Sequence, residues 1–137
     1  MMNSTKFVLL ACCMIFIAAC GKRSKAVDGG NNTNQAVISF EERRIDVGTI
    51  SAKDSCCTFV FNFINKGNEA LILSKLKTSC SCIIADYSKK PIAPGDKGQI
   101  KVNFFTEGKK GHFSKSIYVK SNAANDYEVL YIKGVIN

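Results

Sequence analysis

An all-β sandwich of about seven strands is the fold this chain predicts, and three observations carry the prediction. From Ala36 onward apolar residues recur at every second position, and no stretch of ten or more residues keeps a helical period. Turn residues cut the chain into short segments, as at Asn65-Lys66-Gly67-Asn68 and Glu107-Gly108-Lys109-Lys110-Gly111. Nine Phe, four Tyr and many Val and Ile among 137 residues supply a core, at a length that suits one domain. Short strands at this spacing fit an immunoglobulin-like β-sandwich, although the Cys…Trp…Cys spacing of antibody domains is absent. A small barrel is the competing closure.

The chain opens on a different kind of segment. Residues 7–19 (FVLLACCMIFIAA) form an apolar run behind a short polar start carrying Lys6. A helix that crosses a bilayer needs roughly 20 apolar residues, so this run has signal-peptide proportions instead. Ile17-Ala18-Ala19-Cys20 then looks like a bacterial lipobox, with residues 1–19 as a lipoprotein signal peptide and Cys20 as the lipidated residue. Cys12 and Cys13 fall inside the segment that would be removed. Residues 20–35 are rich in Gly, Asn and Thr without apolar period, and read as a lipidated flexible tether. Lys22, Arg23 and Lys25 sit behind the anchor, where anionic headgroups would attract them.

The domain then spans 36–137. Residues 36–40 and 45–50 predict an opening edge strand, in one piece or split in two. The aromatic segment 57–64 (CTFVFNFI) predicts a central strand, followed by 70–76 and a short strand at 82–85. Residues 99–105 alternate cleanly, with Ile100, Val102 and Phe104 on one face and Gln99, Lys101 and Asn103 on the other. In 112–120, Phe113, Ile117 and Val119 share a face, and in 128–136 Leu130, Ile132 and Ile136 do. Pro94-Gly95 suits the centre of a type II turn, in a plain connection feeding the strand at 99–105.

Composition narrows the function classes. The formal net charge is +8, which raises nucleic-acid binding, but an export signal and the even scatter of cations argue against it. One His, no Trp and no glycine-rich phosphate loop remove most enzyme signatures.

Five blocks taken together point further. Residues 45–50 (IDVGTI), 61–67 (FNFINKG), 78–82 (TSCSC), 91–95 (PIAPG) and 111–117 (GHFSKSI) resemble the domain-of-unknown-function 1573 family (DUF1573), common among envelope lipoproteins of Bacteroidetes. The resemblance runs from about Ser39 to Val135. It implies an immunoglobulin-like domain akin to the major-sperm-protein and PapD-type domains, and no settled biochemical activity. The chain departs from the family's usual Ser-Cys-Gly-Cys-Thr at Ser81 and Ile83, and the vicinal Cys56-Cys57 is not part of that pattern.

The exported domain holds four cysteines, Cys56, Cys57, Cys80 and Cys82. In an oxidising compartment they suggest disulfides, and cross-pairing one of Cys56/Cys57 with one of Cys80/Cys82 would staple a loop of about 25 residues, worth about 3 kcal/mol. Cys80 and Cys82 alternatively offer two thiolates to a soft cation such as Cu(I). Zinc would need Cys56 or Cys57 and His112 to converge on them. A Cys-x-Cys disulfide also suits thiol–disulfide exchange, although no thioredoxin-like CxxC accompanies it. His112 reads as a satisfied strand residue, Asp86 and Glu107 read as solvated loop carboxylates, and no serine has a candidate His/Asp pair. Lys89-Lys90, Lys97 and Lys109-Lys110 fall in turns, where they read as a solvated rim or, as the alternative, as one positive end facing anionic envelope components.

The reading favoured is a non-enzymatic binding or scaffolding module. It would be lipid-anchored in the bacterial cell envelope, at the outer membrane facing the periplasm, with an envelope protein as partner and no nucleic acid or resident cofactor. Cu(I) binding or thiol–disulfide exchange through Cys80 and Cys82 is the alternative.

Overall fold

The computed structural model describes residues 34–137. The segments expected to be signal peptide and tether, with the expected lipidation site Cys20, lie outside the described residues except for residues 34 and 35. The strands are β1 (Ile38–Phe40), β2 (Arg44–Ile50), β3 (Cys56–Asn65), β4 (Leu73–Thr78), β5 (Ile83–Tyr87), β6 (Lys97–Phe105), β7 (Gly111–Ser121) and β8 (Tyr127–Ile136). They form two four-stranded sheets, β1-β3-β6-β5 and β2-β8-β7-β4. This is the sandwich that strand alternation predicts, and β3 lies inside its sheet as the aromatic segment suggests.

The eighth strand comes from the split opening. β1 runs antiparallel to β3 in the first sheet, whereas β2 runs parallel to β8 in the second. Between them Glu41, Glu42 and Arg43 are exposed. Three consecutive ionisable residues cannot stay in a half-buried strand without a heavy desolvation cost, so the chain changes sheet there. Arg43 secures the crossing: its side chain pairs with Glu128 at 2.9 Å and its carbonyl accepts the Tyr131 N–H at 2.8 Å. The segment at 70–76 is also displaced, because Leu71 exchanges both backbone hydrogen bonds with Ile92 at 2.9 Å and β4 begins only at Leu73.

Alternation fills the core as expected. Phe61, Phe63, Ile100, Val102 and Phe104 face inward from the first sheet, against Ile117, Val119, Leu130 and Ile132 from the second. Phe104 reaches across to Phe113, with ring centroids 4.8 Å apart.

The two ends of the sandwich differ. At one, Ala36 bridges Ala123, and the Ala124 N–H donates to the Ala36 carbonyl at 3.1 Å. The chain therefore enters the domain beside the end of β7. Asn65, fully buried, organises this entry end. Its Oδ1 accepts from the Val37 and Gly67 N–H groups, while its Nδ2 donates to the Glu69 and Ile92 carbonyls. A Cβ on Gly67 would collide with the Gln35 carbonyl, so the approach requires glycine. Nearby, Asp96 N–H donates to Ala93 at 3.0 Å across Pro94-Gly95, with Gly95 at φ 83°, which is the anticipated type II geometry. The far end carries the starts of β3 and β7, the ends of β6 and β8, and the β4–β5 connection. The ten residues of β3 span roughly 30 Å between the two ends.

Candidate functional site

All four domain cysteines gather at the far end. Residues 79–82 carry the chain from the second sheet to the first, and Cys80 and Cys82 are disulfide-bonded to each other there, with Cα atoms 5.1 Å apart. The turn is tied down from several sides. Thr78 Oγ1 donates to the Cys80 carbonyl at 3.0 Å, the Cys82 N–H donates to Cys80 Sγ at 3.1 Å, and the Phe105 N–H donates to the Cys82 carbonyl at 2.8 Å. Ser79 and Ser116 exchange two further bonds, Ser79 N–H to the Ser116 carbonyl and Ser116 N–H to Ser79 Oγ. Cys82 is buried, Cys80 half-buried and Ser81 exposed.

Cross-pairing with Cys56 or Cys57 is therefore corrected, and topology gives the reason. β6 lies between β3 and β5. Cys56 pairs with Phe105, which in turn bonds Cys82, so the two cysteines flank a whole strand. Two inter-strand spacings separate them by roughly 10 Å. Disulfides span Cα separations of about 4.4–6.8 Å. Cys56 and Cys57 remain free thiols, the first exposed and the second half-buried. Thr106 fixes the turn before them, since its buried hydroxyl donates to the Asp54 carbonyl. Burial first, then the Asp54 and Cys56 charges, pushes the Cys57 thiol above its ordinary range.

Other expected site residues do not converge on this turn. His112 stands exposed on β7 opposite Val135, and Asp86 is exposed on β5 opposite Lys101. Among the described residues, no group of three His, Cys, Asp or Glu side chains is placed to hold a metal ion. The single positive end is also corrected. Lys89, Lys90 and Lys97 precede or begin β6, whereas Lys109 and Lys110 follow it, so a nine-residue strand runs between the two groups.

Next to the disulfide turn, the outer face of the first sheet exposes apolar side chains. Ile84 pairs with Asn103, and Phe105 lies two positions further along β6 on the same face. Ile84 is 55% exposed and Phe105 39%. Diagonal neighbours of this kind lie about 7–8 Å apart, within reach of large side chains. Cys56 sits opposite Phe105, and Val60, 42% exposed, extends the patch beyond a Thr58–Asn103 hydrogen bond of 2.8 Å. Strand alternation alone would have marked Phe105 as outward-facing, once Phe104 was taken as core.

Over residues 38–136 the chain matches the family described as protein of unknown function, DUF1573. No curated protein sequence matches it. Among solved structures it is similar to a protein of unknown function from Porphyromonas gingivalis, at 17% identity and TM-score 0.64, covering 74% of this chain and 48% of that one. It is also similar to the PapD-like domain 7 of human CEP192, at 7% identity and TM-score 0.61, covering 77% of this chain and 88% of that one. A third likeness is to the secreted serine protease VesC of Vibrio cholerae, at 14% identity and TM-score 0.57, covering 73% of this chain and only 23% of the protease chain. The chain thus spans about half of the Porphyromonas protein. At these identities the likenesses show the PapD-like, immunoglobulin-like fold alone.

Proposed function

We propose that this chain, which belongs to the DUF1573 family, is a non-enzymatic binding module of the bacterial cell envelope. On this reading Cys20 holds it to the outer membrane, and the far end of the sandwich meets an envelope protein in the periplasm. One observation carries the proposal: Ile84 and Phe105 are exposed as neighbours on one sheet face beside the disulfide turn, with Val60 on the same face beyond Thr58 and Asn103. Apolar side chains clustered on a surface favour contact with a partner. Ile84→Glu with Phe105→Glu should abolish capture of crosslinked envelope proteins while the melting temperature of the purified protein stays within a few degrees. Unchanged capture by the doubly substituted protein would refute the proposal.

A second reading rests on the Cys80–Cys82 bond itself. In thiol–disulfide exchange, a partner thiolate attacks one sulfur to give a mixed disulfide. A second partner thiol then resolves it, leaving Cys80 and Cys82 reduced and the partner oxidised. Only that reduced pair would offer two thiolates to Cu(I). Intact mass of the purified chain after alkylation, with and without a dithiol, checks this reading. A bond that a dithiol does not reduce under native conditions would exclude both the exchange and the Cu(I) site.

A further inference from the structure

The outer face of β2-β8-β7-β4 sets lysines beside tyrosines. Lys75 of β4 lies beside Lys120 of β7, which lies beside Tyr127 of β8. The next row on that face is Lys77, Tyr118 and Val129. Lys75, Lys77, Lys120, Tyr118 and Tyr127 line a shallow concavity of about 170 Å³. Lys120 Nζ stands 5.4 Å from the Tyr127 ring centroid, and further along the face the Arg44 guanidinium stands 5.1 Å from that of Tyr131. The ion pairs among the described residues are Arg43–Glu128 and Lys133–Asp46, so no described carboxylate answers the three lysines of the concavity. Like charges directly opposite each other disfavour a sheet, and Lys75 against Lys120 is such a pair. An anion seated there removes the conflict.

We infer that this face docks on the headgroup surface of an anionic phospholipid bilayer, with a lipid phosphate among Lys75, Lys77 and Lys120. Three features favour a bilayer over a soluble acidic partner. The face is a sheet surface with its cations spread over several strands, which suits a plane of negative charge. Tyrosine is a residue of membrane interfaces, with an apolar ring and a polar tip at headgroup level. The chain also enters the domain at this end, because Ala36 bridges Ala123, three residues beyond Lys120. Sixteen residues lead from Cys20 to Ala36, and even fully extended they reach no further than about 55 Å, so a lipid on Cys20 would tether this end of the domain to a bilayer. The inference rests on the lipid-anchor reading for its geometry, and its test separates the two.

The full chain, purified from cell envelopes, is reconstituted with vesicles of phosphatidylcholine alone, or of phosphatidylcholine and phosphatidylglycerol in equal parts. A membrane-impermeant amine reagent then reports labelling at each lysine by mass spectrometry. At low salt Lys75, Lys77 and Lys120 should label several-fold more slowly on the anionic vesicles, and the protection should vanish at high salt. Lys97 and Lys101, on β6 of the other sheet, should label alike on both. Lys75→Glu with Lys120→Glu should abolish the protection of Lys77. Equal labelling of the three lysines on both vesicles, with the protein bound to both, overturns the docking face and leaves the anchor intact. Binding to anionic vesicles alone removes the anchor and retains the docking face, whereas binding to neither overturns both. Stronger protection by soluble polyglutamate than by anionic vesicles would reassign the face to an acidic polypeptide and overturn the inference.

Discussion

The second sheet turns Lys75, Lys77 and Lys120 outward among three tyrosines, while the first turns out Thr58, Asn62, Gln99, Asn103 and the facing charges Lys101 and Asp86 around Val60, Ile84 and Phe105. Both faces are made by the same rule. Every second side chain points away from a shared core, so the inward positions are constrained to be apolar and the outward ones are not. That freedom lets one small domain carry two different surfaces without altering its packing. The cationic face begins at the end where the chain enters, and the apolar patch with the disulfide turn lies near the other end.

The comparison presupposes that inward and outward positions are energetically unlike, and the largest expected effect tests that. Phe104→Ala should cost about 3–5 kcal/mol, because Phe104 is buried against Phe113 and a cavity would remain. Lys101→Ala, outward on the same strand, should stay within about 0.5 kcal/mol. Chemical denaturation measures both, and similar costs would erase the distinction between faces.

The next effect concerns the ends rather than the faces. Asn65→Ala strips four hydrogen bonds from the buried entry-end hub and should cost about 3 kcal/mol, with Asn65→Asp also destabilising because it loses both donors. At the far end Cys80→Ser should cost only about 1.6 kcal/mol, since its disulfide closes a loop of three residues. Adding a reductant that opens the wild-type bond should remove that difference. Melts of the four proteins show whether the entry end is indeed the firmer one.

Smaller still is the pH response of the cationic face. The Gly48 N–H bond first, and then Lys133, hold the Asp46 carboxyl below the usual aspartate range. Its folded pKa is the lower one, so its contribution is fully present above the unfolded value near 3.9 and is lost as pH falls through the lowered folded value. Asp46→Asn should therefore melt slightly below wild type at neutral pH and together with it at the acid extreme. A gap that persists at the acid extreme would contradict this electrostatic account.

Much of this arrangement is legible in the sequence. Alternation places Phe61, Ile100, Val102, Phe104 and Leu130 in the core, and Pro94-Gly95 marks its turn. What alternation cannot supply is the order of strands. The cationic face depends on β4 lying beside β7, and Lys75 and Lys120 are 45 positions apart in a chain whose lysines look evenly scattered. The cysteine pairing depends on β6 lying between β3 and β5, which no local spacing reveals. Asn65 looks like an ordinary turn residue, and its role as a buried hub appears only when Val37 and Ile92 arrive from two distant segments.

Site-specific photocrosslinking in intact cells tests the two-face account most directly, with the same photoreactive residue placed at Phe105 or at Tyr118. Both positions are exposed, one on each face, so neither substitution disturbs the core. The account predicts a discrete protein adduct from position 105 and a phospholipid adduct, without a protein band, from position 118. The same adduct from both positions would contradict it.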